Sequence, residues 1–205
     1  MANTTFTGPV RSLNGFETVT KNATTGAITI TSGNKMAVEA IADAGIEGTA
    51  ETYITQVERF KSDTDTNVNL VKTTIMIDLT GLQSTAAGDI IGKNGAGIAY
   101  IAQVTTANQG VVFGVSMSCY ETPAGGDPDI NLHSADEGTG VEDTAISALT
   151  ETLIINGGDA AAGTRTAGGT IAADQYLYLT AGATTDAAYT AGRLVIEILG
   201  YDVAS

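Results

Sequence analysis

The side chains of this sequence that could carry chemistry are few, and each can be weighed by what its reaction would need. One histidine, His133, stands next to Ser134 in the run Ile130-Asn-Leu-His-Ser. A nucleophilic triad needs a base, an orienting acid and a nucleophile gathered in space. No elbow motif accompanies this pair, so a small hydrolase using His133 is the weaker reading and a bystander imidazole the stronger. One cysteine, Cys119, follows Val115-Ser-Met-Ser, a setting for a small buried thiol and no basis for an internal disulfide framework. The stretch Gly88-Asp-Ile-Ile-Gly92-Lys93-Asn94 is close to a phosphate loop. Its first glycine is one residue too near the second, and Asn94 stands where Ser or Thr would hold magnesium. It is expected to be a turn with an exposed lysine. Gly92, Gly95 and Gly97 likewise make no dinucleotide fingerprint.

The carboxylates come next. Asp127-Pro-Asp129, Asp136-Glu137 and Glu142-Asp143 offer oxygens to a hard cation such as calcium, but lack the ligand spacing of a dedicated loop. They are expected to be solvated acids. As a glycosidase pair they would want flat aromatic platforms, and the chain has no Trp and four Phe. No catalytic residue, cofactor or metal ligand is therefore assigned, and the chain is expected not to be an enzyme.

The elements that would position these groups are strands. Gln175-Tyr-Leu-Tyr-Leu-Thr-Ala-Gly182 places Leu177 and Leu179 on one face and Tyr176 and Tyr178 on the other. Gly192 to Tyr201 places Leu194, Ile196 and Ile198 together, with Val195, Glu197 and Leu199 opposite. Such alternation means a sheet with one face in a core. The second of these segments is expected to be a central strand, with earlier segments on both sides. Upstream, Tyr53 to Phe60, Leu70 to Leu79, Asp89-Ile-Ile-Gly92, Ile98 to Val104, Val111 to Tyr120, Ile130 to Ser134 and Thr150 to Asn156 read as strands. Asn108-Gln-Gly110 reads as the tight turn of a hairpin. Thr122 to Asp129 and Ala135 to Gly140 read as loops, and a glycine- and alanine-rich connection runs out to Ala173. Met36 to Ala44 is ambiguous, since alanine favours helix while Gly45 and Gly48 close it quickly.

At 205 residues, with 43% hydrophobic residues and 25 glycines, the pattern is that of one all-β body with many turns. The expected architecture is a jelly-roll-like β-sandwich over residues 36–205, preceded by an extended N-terminal arm over 1–35. Within the arm, Asn22-Ala-Thr-Thr-Gly26 is placed as the turn of a possible short hairpin. No run approaches the roughly 18 apolar residues of a membrane span. Met1-Ala-Asn-Thr-Thr begins no basic-then-apolar signal region, so no export address is expected.

The net charge of −14 is unevenly placed. Before Gly95 seven basic residues face ten acidic ones; from Gly95 onward two, Arg165 and Arg193, face thirteen. Such a surface repels phosphate backbones, so no nucleic acid is expected as a partner; with no apolar span, no membrane is expected either. The first 38 residues differ: Arg11, Lys21 and Lys35 outweigh Glu17. Isolated anchors, Phe6, Val10, Leu13 and Phe16, lie there beside Gly8 and Pro9. The segment is either a first strand or frayed terminus, or an extended arm. In the arm, Phe6, Pro9, Val10, Arg11 and Phe16 are the expected partner-docking residues, the apolar ones supplying affinity while Arg11 and Lys21 meet acidic groups and set register.

The segment Phe6-Thr-Gly-Pro-Val-Arg-Ser-Leu-Asn-Gly-Phe16 with Thr18 to Gly26, Gly126-Asp-Pro-Asp-Ile-Asn-Leu132, Gln175 to Gly182 and Tyr189 to Tyr201 resembles small jelly-roll structural proteins of tailed-bacteriophage virions, of the head decoration or cement type. The resemblance implies a virion protein made in the host cytoplasm. It implies a homo-oligomer, a trimer by the family's habit, that contacts the major capsid protein or other virion proteins. A tail, spike or fibre component, or a surface carbohydrate-binding module, are the alternatives.

Overall fold

Alternating β-branched, leucine and tyrosine residues make this a protein of strands. The computed structural model describes residues 18–21, 28–32, 53–61, 68–95, 97–185 and 187–203. The chain divides into two compact units, residues 1–36 and 37–205. In the first, β1 (Thr18–Lys21) and β2 (Ile28–Ser32) pair antiparallel. Phe6, Pro9, Val10, Arg11 and Phe16, and the ambiguous segment from Met36 to Ala44, lie outside the described residues.

The second unit opens with β3 (Tyr53–Lys61) and β4 (Val68–Asp78), then the two-residue β5 (Leu82–Gln83), β6 (Gly92–Lys93) and β7 (Ala102–Gln103). A one-turn helix, α1 (Thr106–Gln109), precedes β8 (Val111–Ala124). β9 (Ile130–Ala135), a 3-10 turn at Ile146–Ala148, β10 (Glu151–Ile155), β11 (Arg165–Gly168), β12 (Tyr176–Ala181) and β13 (Ala191–Val203) complete it.

Two sheets carry the unit, one ordered β11-β8-β13-β4-β3 and the other β10-β9-β12-β7, and all their pairings are antiparallel. Setting aside β3 and the short β5 and β6, the strands pair first with last: β4 with β13, β7 with β12, β8 with β11, β9 with β10. This is one long hairpin wound over on itself, its successive pairs alternating between the sheets. The facing side chains form one core. Ile75, Ile77, Met117, Leu194, Ile196 and Ile198 come from the five-stranded sheet, and Leu132, Ile155, Leu177 and Leu179 from the other. The protein is thus an all-β sandwich, as the alternation of its strands predicts. Burying each such side chain contributes about 1.5–3 kcal/mol.

β13 is the central strand, paired along its length with β4 and β8. Near its end Gly200 packs directly under α1: a Cβ there would sit 1.9 Å from the Gln109 carbonyl oxygen. That contact closes one end of the core.

Five local expectations need correction. Asn108-Gln-Gly110 is not a hairpin turn; it ends α1, and the flanking β7 and β8 belong to different sheets. Local bonding decides it. The Thr105 side chain caps the turn by accepting from the Asn108 N–H, and the Thr105 N–H donates to Gln109 Oε1 at 2.9 Å. The expected strand from Ile98 to Val104 shrinks to Ala102–Gln103, with Ile98 held by a lone bridge to Val141. The run up to Asp129 is strand as far as Ala124, and the connection toward Ala173 contains β11. Finally, β12 has no wet face: Tyr178 is fully buried, packed with Ile90, Ala99, Ala135 and Ile146. Segments outside the sheet fold over it.

Candidate functional site

Of the carboxylates expected to be solvated, Asp136 and Asp143 are exposed and Asp129 and Glu137 half-buried, whereas Asp127 and Glu142 are buried in the loops. Asp127 is buried, 2% exposed. It accepts from the Asp129 N–H at 3.0 Å and the Ala183 N–H at 2.6 Å. The Tyr189 hydroxyl donates to the Asp127 carbonyl at 2.6 Å, and Gly126 lies so close to that ring that a Cβ would meet it at 2.6 Å. Asp127 therefore ties the β8–β9 loop to the β12–β13 loop. Beside it Asp129 bridges to Asp159 through the backbone, and its Oδ1 is buried with no hydrogen-bond partner. Burial, then the charges of Asp127 and Asp159, raise its carboxyl above the usual range. Among the described residues no group of three or more His, Cys, Asp or Glu is placed to hold a metal.

The second acidic stretch is equally engaged. Glu137 accepts from the Thr150 N–H at 2.9 Å and hydroxyl at 2.8 Å, and these bonds hold its carboxyl below the usual range. The buried Tyr178 hydroxyl donates to the Glu137 carbonyl at 2.7 Å and accepts from the Gly140 N–H at 3.1 Å. Glu142 accepts from Gln83, and Asp143 from Thr85. Two buried tyrosines thus staple two acidic loops, a role visible in the sequence only as tyrosines amid alternation.

His133 Nδ1 lies 2.8 Å from Glu151 Oε2, across the β9–β10 pair. Ser134 is the next residue along β9, where successive side chains take opposite faces, and its hydroxyl bonds Gln175 Oε1. Base, acid and hydroxyl are therefore not gathered as a triad requires. Cys119 is buried, its thiol donating to the Glu121 carbonyl at 3.1 Å, and burial raises its pKa, which suits an inert thiol. Lys93, expected exposed on a turn, is half-buried in β6.

The remaining candidate is a surface, the outer face of the five-stranded sheet. In register, Leu70, Tyr201 and Val111 form a row across β4, β13 and β8. The next row holds Lys72, Leu199 and Gly114, with Phe113 the extra residue of a bulge between the rows. Phe113 is 50% exposed and its ring lies 6.4 Å from that of Tyr201. Beyond these rows Glu197 is held by Lys72 at 2.5 Å and Arg165 at 3.4 Å, and Arg193 lies 3.5 Å from both Asp78 and Glu121. The Lys72 hydrogen bond is the main reason the Glu197 carboxyl sits below its usual range. Leu199 is exposed as its face predicts, at 37%, but Val195 is buried at 6%. Its register neighbours Met76 and Ser118 stand on either side, within the reach of cross-strand pairs. Strict alternation would put Phe113 on the same face as the buried Val115 and Met117; the bulge turns it outward.

Compared with known proteins, the chain matches no family model, no curated protein and no solved structure.

Proposed function

We propose that this chain is a non-enzymatic structural protein of a tailed-bacteriophage virion, decorating or cementing the capsid shell through contacts with itself and with the major capsid protein. The observation that carries the reading is the nested strand order. First-with-last pairing of eight strands, split between two sheets, supports a jelly-roll reading of the sandwich, an architecture found in viral capsid and lectin domains. Fold alone does not fix a function. The reading therefore also draws on the resemblance of the 6–26, 126–132 and 175–201 segments to decoration proteins, and on the engagement of the acidic loops, His133 and Cys119 in bonds that brace the fold. A shell protein needs such bracing and a contact surface more than it needs a cleft.

The test is to purify the particles of the phage that encodes the chain, separate heads from tails, and locate the chain by mass spectrometry and in the density. It is expected on the head shell. Finding it on the tail would move the proposal to the tail or fibre alternative, and its absence from purified particles would overturn the virion reading.

A further inference from the structure

We propose that the outer face of the five-stranded sheet, centred on Phe113 and Leu199, is the surface on which a second copy of this chain docks. The inference deepens the shell-protein reading and rests on it. Its first support is apolar exposure. Leu70, Val111, Phe113 and Leu199 are exposed on adjoining rows of one sheet face, with the half-buried Tyr201 among them. Scattered apolar residues need no explanation, but a contiguous group rimmed by polar ones marks a contact surface. An aromatic anchor at the centre is what such surfaces use for most of their affinity.

Charge says which partner. Among the described side chains, the strands of this sheet carry three basic residues, Lys72, Arg165 and Arg193, and three acidic ones, Asp78, Glu121 and Glu197. These cancel, and the net charge of −14 is that of the rest of the chain, six bases against twenty acids. Asp78, Glu121 and Glu197 each have a basic partner on this sheet. Two copies of so acidic a protein repel over most of their surfaces. Screening confines that repulsion to about 8–10 Å, so copies meeting through neutral sheet faces avoid most of it. A strongly basic partner would instead seek the acidic loops. Size also fits. Four long strands about 4.8 Å apart, with β4 at 11 residues of about 3.3 Å each, span roughly 700 Å², near the ~800 Å² per partner of a standard interface.

The experiment is sedimentation and light scattering of the full chain over a wide concentration range, for wild type, Phe113→Glu, Leu199→Lys and Leu153→Glu. Leu153 is exposed on the other sheet and serves as the control. Wild type and Leu153→Glu are expected to self-associate alike. Phe113→Glu and Leu199→Lys are expected to weaken association by roughly thirtyfold or more, the loss of a hot-spot residue, with unchanged circular dichroism and melting temperature. Should a variant not fold, hydroxyl-radical footprinting of Phe113 in the wild-type chain decides, with protection expected at high concentration only. A wild-type monomer at every concentration, undiminished association of Phe113→Glu, or equal loss in Leu153→Glu would overturn the inference. A monomer found on heads would overturn this inference alone. A chain that self-associates through Phe113 yet is missing from particles would overturn the shell reading alone.

Discussion

Asp129 is the acid in the least favourable position of the β8–β9 loop. One of its oxygens is buried without a partner, and Asp127 and Asp159 stand near enough to raise its pKa further. A carboxyl whose folded-state pKa lies above its unfolded value binds its proton more tightly when folded. It favours folding below the unfolded value, and that contribution is lost as pH rises through the raised folded value. At neutral pH the ionised group is therefore a liability. Asp129→Asn keeps the shape, removes the charge, and should raise the melting temperature at pH 7. The gain should shrink as pH falls through the raised value, where wild-type Asp129 takes up its own proton. Melting curves of both proteins between pH 4 and 8 check this. A loss of stability at pH 7 would mean that the carboxylate has a cationic partner. The sequence shows these acids and their loop but not their burial, because a solvated carboxylate and one accepting two backbone N–H groups have the same neighbours in the chain.

Elements were more legible than sites, and unevenly so. Leu194, Ile196 and Ile198, and Leu177 with Leu179, sit in the core as alternation predicts, because one buried face imposes a period of two wherever a strand is long. Apart from Val195, buried on the outer side of β13 between Met76 and Ser118, the misread strands fall where that period carries no information. Ala102–Gln103 is too short to show it, β11 is built of Arg-Thr-Ala-Gly, and β12 is buried on both sides. The helical turn at Thr106 depends on a side-chain cap that a glycine-ended loop disguises. Glycines show the same limit. Gly114 and Gly200 both lie in long strands of one sheet, yet a Cβ at Gly114 meets nothing within 4 Å and one at Gly200 meets the backbone of α1. Gly200→Ala must push α1 off the end of the sandwich and should cost about 1–3 kcal/mol, as overpacking does. For a chain of this size that is a fall of several degrees in melting temperature. Gly114→Ala should be nearly neutral. Equal stability of the two variants, measured by thermal or urea unfolding, would show that α1 yields freely and does not close the core.

At the scale of the whole molecule, the proposal turns on how a protein of net charge −14 attaches to anything. Its acidic loops are braced and exposed carboxylates abound, so general stickiness is low and attachment must be local. Residues 1–16 are chemically unlike the rest. Arg11 is the one charged side chain among them, and Phe6, Val10, Leu13 and Phe16 supply apolar anchors. If these residues dock on the shell, apolar burial gives most of the affinity, at about 25 cal/mol per Å², while Arg11 pairs with an acid of the partner and fixes register. Removing residues 1–16 should then weaken binding of the purified chain to particles lacking it, while circular dichroism of the remaining body stays unchanged. Salt separates the two contributions. Screening reduces the Arg11 share and leaves the apolar share in place, so the gap between full and truncated chains should narrow, but not close, as salt rises. Arg11→Ala should reproduce the salt-sensitive part alone. Truncated chain that binds particles as tightly as the full chain at every salt concentration would remove the first sixteen residues from the attachment, and leave the sheet faces to account for it.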